Sequence, residues 1–137
     1  MPIEINKIPA PCYVIEEGLL RKNLSLIKNV ADEAGVEIIL AFKGFAMWSV
    51  FPVVREYIRG ATASSLNEAR LCFEEMKTKS HTYCVAILPE EVDELFSYSS
   101  HVTFNSLNQY NLYKDKAKTL GISCGIRVNP EYSEVTT

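Results

Sequence analysis

Lys43 is the residue whose type and position carry the most chemical promise. It closes the apolar run Val36-Glu37-Ile38-Ile39-Leu40-Ala41-Phe42, Gly44 follows it, and Phe45, Met47 and Trp48 lie just beyond. Apolar surroundings penalise an ammonium ion, so they lower its pKa and release the neutral amine. A neutral amine is the form that condenses with a carbonyl to give a Schiff base. The same position also suits a lysine that carries its charge out to solvent from a strand end. On spacing alone, that plainer account is the stronger of the two.

Arg127 lies within Gly125-Ile126-Arg127-Val128-Asn129-Pro130. A guanidinium between Ile and Val in a buried strand needs an anionic partner. A ligand oxygen, a substrate carboxylate or an internal ion pair would each satisfy it. Ser64 and Asn105 could donate hydrogen bonds to a ligand, although Ser and Asn at strand ends are also ordinary turn and cap residues. Tyr132, Ser133 and Glu134 follow Pro130 on a segment suited to substrate contact or to plain solvation. His81 and His101 are each expected at the start of a strand, in structural roles. The cysteines are Cys12, Cys72, Cys84 and Cys124, with no CxxC pair and no His at ligand spacing, so no metal site is expected. All four are expected to be buried free thiols of a reducing compartment.

These residues need elements to position them, and short apolar runs alternate with helical patterns along the chain. The runs are Cys12–Ile15, Val36–Phe42, Gly60–Ser64, Thr82–Leu88, His101–Asn105 and Ile122–Asn129. Bounded by Gly, Pro, Asn or Ser, they are expected to be buried parallel strands. Between them, Leu19, Leu20, Leu24, Ile27 and Val30 share a helical face that Gly35 is placed to end. Ser65 with Glu68 has the spacing of a capping box. Pro89 suits the first turn of a helix through Val92, Leu95 and Phe96, and Ser106 can cap a helix carrying Leu107, Tyr110 and Tyr113.

Such alternation describes an α/β fold, either a doubly wound sheet or a (β/α)8 barrel. The phosphate-loop patterns GxGxxG and GxxxxGKS are absent, which weakens the nucleotide-binding sheet. A complete barrel takes about 250 residues, so 137 residues supply part of one. No helical pattern follows the last run before Val135-Thr136-Thr137, and the expectation is an incomplete barrel. Both architectures gather active residues at the carboxyl ends of their strands. That rule puts Lys43, Ser64, Ser65, Asn105, Arg127 and Asn129 on one face and the histidines on the other.

Composition excludes several partners. The chain is 47% hydrophobic and 23% charged with a net charge of −3, which offers no basic surface to nucleic acid. No apolar run approaches a membrane span. The opening residues MPIEINKIPAP lack the pattern of a secretory signal, so a cytoplasmic setting is expected.

Four stretches together resemble the fold-type III pyridoxal-phosphate (PLP) dependent decarboxylases, the family of ornithine and diaminopimelate decarboxylases. They are residues 11–16 (PCYVIE), 39–48 (ILAFKGFAMW), 60–70 (GATASSLNEAR) and 123–135 (SCGIRVNPEYSEV). The lysine and Ala-Ser-x-x-Glu motifs are general to the superfamily. AFKGFAMW and NPEYSEV point to its carboxynorspermidine decarboxylase branch. The resemblance implies that Lys43 forms the internal aldimine with PLP and that Arg127 neighbours the cofactor. It also places Ser64 and Glu68 on the shared motif. Many relatives have an acidic residue where Ala61 stands, so a partner expected near the lysine is missing.

The implied architecture has residues 1–16 lending a strand to a second β domain, and residues 17–137 forming the first five strands of a PLP-binding barrel. The implied activity is decarboxylation of carboxynorspermidine or carboxyspermidine in polyamine biosynthesis by a homodimer, with these residues alone inactive. The alternatives are another decarboxylase of the same fold type, a non-catalytic PLP-carrier barrel, and a barrel aldolase or dehydratase with a strand-end lysine.

Overall fold

In the computed structural model, which describes residues 4–135, five strands form one parallel sheet in chain order. They are β1 (Leu40–Ala41), β2 (Ala61–Ala63), β3 (Ser80–Thr82), β4 (Ser99–Phe104) and β5 (Ser123–Ile126). The helices are α1 (Glu17–Ala34), α2 (Phe51–Val54), α3 (Leu66–Glu75), α4 (Val92–Ser97) and α5 (Leu107–Thr119). A doubly wound sheet reverses its strand order at a switch point, whereas a barrel lays each strand beside the previous one. The unbroken order therefore decides for a partial barrel. Among the described residues no helix is long and apolar enough to cross a membrane.

Strand alternation explains the core. Ala61, Ala63, Val102 and Phe104 are buried against the helices, while Thr62, His101 and Thr103 between them face the other way and are less covered. One cluster joins Phe96, Phe104 and Tyr113 to Val92 and Leu95. Within it, Phe96 meets Phe104 and Tyr113 edge to face, with ring centroids 6.5 and 6.1 Å apart. The other cluster holds Leu24, Phe42, Phe51, Val54 and Ala61. Burial also pushes the Cys72 and Cys84 thiols up to about 11, as expected of inert core cysteines.

The local signals at helix ends hold. Gly35 caps α1 with φ +64°, a left-handed conformation that costs glycine little. Ser65 accepts from the Glu68 N–H at 3.2 Å, and Ser106 accepts from the Gln109 N–H at 3.1 Å.

Several boundaries differ from the sequence expectations. The strand expected at Thr82–Leu88 is Ser80–Thr82. The apolar residues after it leave the sheet, and Cys84 and Ile87 pack into the first core cluster from a loop. The true strand is polar because its hydroxyls satisfy one another. Thr82 Oγ1 lies 2.8 Å from Ser80 Oγ and 2.7 Å from Ser99 Oγ, and Ser99 Oγ donates to Leu95 O at 2.7 Å. Of Val36–Phe42, only Leu40–Ala41 joins the ladder, and Val36 is exposed.

Cys12–Ile15 pairs with no strand among the described residues, and Tyr13 is 96% exposed. An extended segment becomes a strand only where another backbone completes its hydrogen bonds. Cys12 and Cys124 are exposed rather than buried, the first on that segment and the second on the edge strand β5. In α1 only Leu24 is fully buried; Leu19 and Val30 stay exposed because the helix meets little beyond α2 and the β1 edge. Pro89 lies in the turn before α4 rather than in its first turn. Thr136, Thr137 and Met1 to Ile3 lie outside the described residues.

Candidate functional site

Each strand is followed at once by residues that can meet a ligand. Lys43 sits in the turn after β1, Ser64 follows β2, Tyr83 follows β3, Asn105 follows β4 and Arg127 follows β5. Parallel register brings these positions to one edge, with Ala41 beside Thr62, Ala63 beside Thr82 and Phe104 beside Ile126.

Lys43 is seated by its neighbour. Phe42 is buried and stacks on Phe51, with centroids 5.3 Å apart and planes 8° from parallel. The Gly44 and Phe45 N–H groups both bond to Ala41 O, at 2.9 and 3.1 Å. This closed turn fixes the backbone and sends Lys43 into solvent, where it joins no ion pair among the described residues. The apolar shell expected around the amine is therefore not formed here: Phe42 and Phe51 place their apolar surface behind Lys43 rather than around it.

At Ser64 the backbone is pinned from the following helix. Its N–H donates to Glu68 Oε2 at 2.7 Å, one residue ahead of the Ser65 N-cap whose N–H a capping box would bond. The Ser64 hydroxyl is left on an exposed residue. The β4 exit repeats the device, with Asn105 N–H donating to Gln109 Oε1 at 2.8 Å. Ala61 is fully buried in the second core cluster, facing the helices. A carboxylate there would enter the core.

Three strand ends are linked directly. The Tyr83 hydroxyl donates to Asn105 Oδ1 at 2.8 Å and accepts a hydrogen bond from an Arg127 guanidinium N–H. The same guanidinium carbon lies 5.4 Å from the Tyr83 ring centroid. Arg127 is thus exposed and tied to a phenol, not sealed between apolar neighbours, because β5 is an edge strand that ends at Ile126. Sequence reasoning missed Tyr83. The strand-end rule would have selected it had β3 been placed at Ser80–Thr82.

At the opposite end of the sheet, His81 and His101 lie within their strands rather than at their starts. Their rings stack with centroids 3.9 Å apart, and Ser100 Oγ is 3.0 Å from His101 Nδ1. Burial first, then the neighbouring His101, lowers the His81 pKa. An open cleft of about 530 Å³ also lies here, lined by Glu37, Arg59, Lys79 and His81 among others, and is remote from the strand exits. Among the described residues no group of His, Cys, Asp or Glu is arranged to hold a metal ion.

No family model matches the chain. Individual proteins do. It is 41% identical over 133 residues to the carboxyaminopropylagmatine decarboxylase of Synechocystis sp., covering 97% of this chain and 34% of that protein. It is 42% identical over 127 residues to the carboxynorspermidine/carboxyspermidine decarboxylase of Campylobacter jejuni, covering 93% and 33%. The crystal structure of carboxynorspermidine decarboxylase from Campylobacter jejuni, complexed with norspermidine, matches with a TM-score of 0.87 at 40% identity, over 92% of this chain and 34% of that one. The chain is a relative of the carboxynorspermidine decarboxylases. It spans about a third of the length of the curated relatives it matches. A sheet of five strands in barrel order agrees with that share of a carboxynorspermidine decarboxylase fold.

Proposed function

We propose that this chain supplies the cofactor-anchoring part of a PLP-dependent decarboxylase acting on a carboxylated polyamine, carboxynorspermidine or carboxyspermidine, in polyamine biosynthesis. The observation that carries the reading is Lys43, fixed at a strand exit in a chain 40% identical to carboxynorspermidine decarboxylase and of the same fold. The donor set fits an anionic aldehyde cofactor: a primary amine outside any ion pair among the described residues, an exposed guanidinium, an amide and a hydroxyl, all on one edge.

In this reading the Lys43 ε-amine is the group that would hold the cofactor aldehyde. Arg127 would meet an anionic oxygen of the cofactor, and the Ser64 hydroxyl would donate beside it. When bound, PLP supplies the electron sink for the pair left on carbon as the bond to the carboxylate breaks and carbon dioxide departs. Phe42 and Phe51 keep the lysine backbone from drifting, which matters because misplacement by about 1 Å can cost on the order of a hundredfold in rate. The proposal includes a homodimeric, cytoplasmic complete protein, with residues 1–16 lending a strand to a second β domain. The exposure of Tyr13 and Val14 supports the lent strand.

The test is product analysis with the complete polypeptide and PLP. Carboxynorspermidine or carboxyspermidine is expected to yield carbon dioxide and norspermidine or spermidine. Bound PLP without carbon dioxide release from either substrate would favour a carrier barrel. The Synechocystis relative's name makes carboxyaminopropylagmatine the third substrate to offer.

A further inference from the structure

The geometry points to Tyr83 as a positioning residue that orients Arg127 toward the cofactor and sets the hydrogen-bonding polarity of this edge. The inference rests on the proposed function and adds a residue to its site. Asn105 Oδ1 has no proton, so the 2.8 Å contact requires the Tyr83 hydroxyl to donate its single hydrogen there. Arg127 has only protons to offer, so its N–H donates to the remaining face of the same oxygen. The reversed amide orientation of Asn105 would leave that hydroxyl accepting twice and its own proton unused.

The relay therefore runs one way, from Arg127 on β5 through Tyr83 after β3 to Asn105 after β4. Each member is held separately by backbone bonds. Tyr83 N–H bonds Ala63 O at 2.9 Å, Arg127 N–H bonds Phe104 O at 2.9 Å, and Asn105 N–H bonds Gln109 Oε1 at 2.8 Å. The Tyr83 ring beneath the guanidinium restrains it further. Two consequences follow. The long Arg127 side chain is held at one head-group position before any ligand arrives, so less conformational entropy is lost on binding. The polar groups left over, the other guanidinium N–H groups and the Asn105 amide N–H₂, are all donors. The edge is thus set to receive an acceptor-rich anion.

The experiment is a double-mutant cycle in the PLP-loaded complete protein, with Tyr83→Phe, Arg127→Gln and the pair. PLP dissociation constants come from fluorescence titration, and thermal midpoints are measured alongside. Tyr83→Phe keeps the ring and is expected to weaken PLP binding about tenfold, the scale of one hydrogen bond to a charged group, with little change in midpoint. In the Arg127→Gln background, Tyr83→Phe should add almost nothing, because it acts through that guanidinium. Additive losses, or a Tyr83→Phe protein that binds PLP as the unsubstituted protein does, would overturn the role of Tyr83 and leave the proposed function standing. Failure of the unsubstituted protein to bind PLP would overturn the proposed function itself, and this inference with it.

Discussion

The buried hydroxyls of β3 and β4 and the polar groups at the strand exits are used in opposite ways. Within β3 and at the start of β4, Ser80, Thr82 and Ser99 are almost fully buried and consume one another's hydrogen bonds. At the strand exits, Lys43, Ser64 and Arg127 are exposed, while Tyr83 and Asn105 are half-buried. A buried hydroxyl must find its partners inside the protein, since an unpaired one costs about 1–3 kcal/mol. A group that has spent its bonds internally has none left for a ligand. The first set therefore carries stability and the second keeps spare capacity.

Substitutions can break or sharpen that division. The largest effect is expected where the two roles meet. Phe42→Ala removes the stacked partner of Phe51 directly behind Lys43, and should cost about 3–5 kcal/mol in denaturant unfolding as well as weakening PLP retention. A loss in only one of the two readouts would mean that the core does not seat the lysine.

Thr82→Val should come next. It keeps shape but strips the hydroxyl between Ser80 and Ser99, for about 1–3 kcal/mol of stability with PLP affinity unchanged. An altered affinity would blur the contrast between the two sets.

Glu68→Ala and Gln109→Ala remove matching caps from α3 and α5. Each should cost on the order of 1 kcal/mol. The Glu68 loss should be the larger, because its carboxylate also meets the positive end of the α3 dipole. Equal losses in chemical denaturation would remove the charge from the explanation.

The smallest effect is a pH dependence at the stacked histidines. The folded pKa of His81 lies below its ordinary value of 6.5, so the unfolded chain binds the proton more readily. Its penalty is absent above that value and grows as pH falls from it toward the folded pKa. The groups facing His81 are His101 on β4 and Glu37 ahead of β1, with Glu37 opposing the shift. His81→Gln should flatten the fall in unfolding free energy between about pH 7 and about pH 5, and an unchanged slope would assign it to other groups.

What the sequence revealed followed the range of the interactions. Gly35, Ser65 with Glu68, and Ser106 are read from three or four neighbouring residues, and each cap formed as expected. The placement of Lys43 at a strand exit was legible because Phe42 before it is apolar and Gly44 after it turns the chain. The third strand was not legible. Ser80-His81-Thr82 looks like a loop until Ser99 arrives from 17 residues away to satisfy Thr82, while the apolar residues from Cys84 to Leu88 resemble a strand yet pack from a loop. Tyr83 was lost with that boundary. The exposure of Cys12 and Cys124 was equally hidden, since it depends on which elements cover them rather than on their neighbours in sequence.

The central claim is that Lys43 is the covalent seat of the cofactor. Borohydride reduction of the PLP-loaded complete protein, followed by peptide mass mapping, tests it most directly. The account predicts one phosphopyridoxyl group, on the Lys43 peptide, and none at that site in Lys43→Ala. A label on another lysine in place of Lys43, or PLP held with no reducible bond, would contradict it.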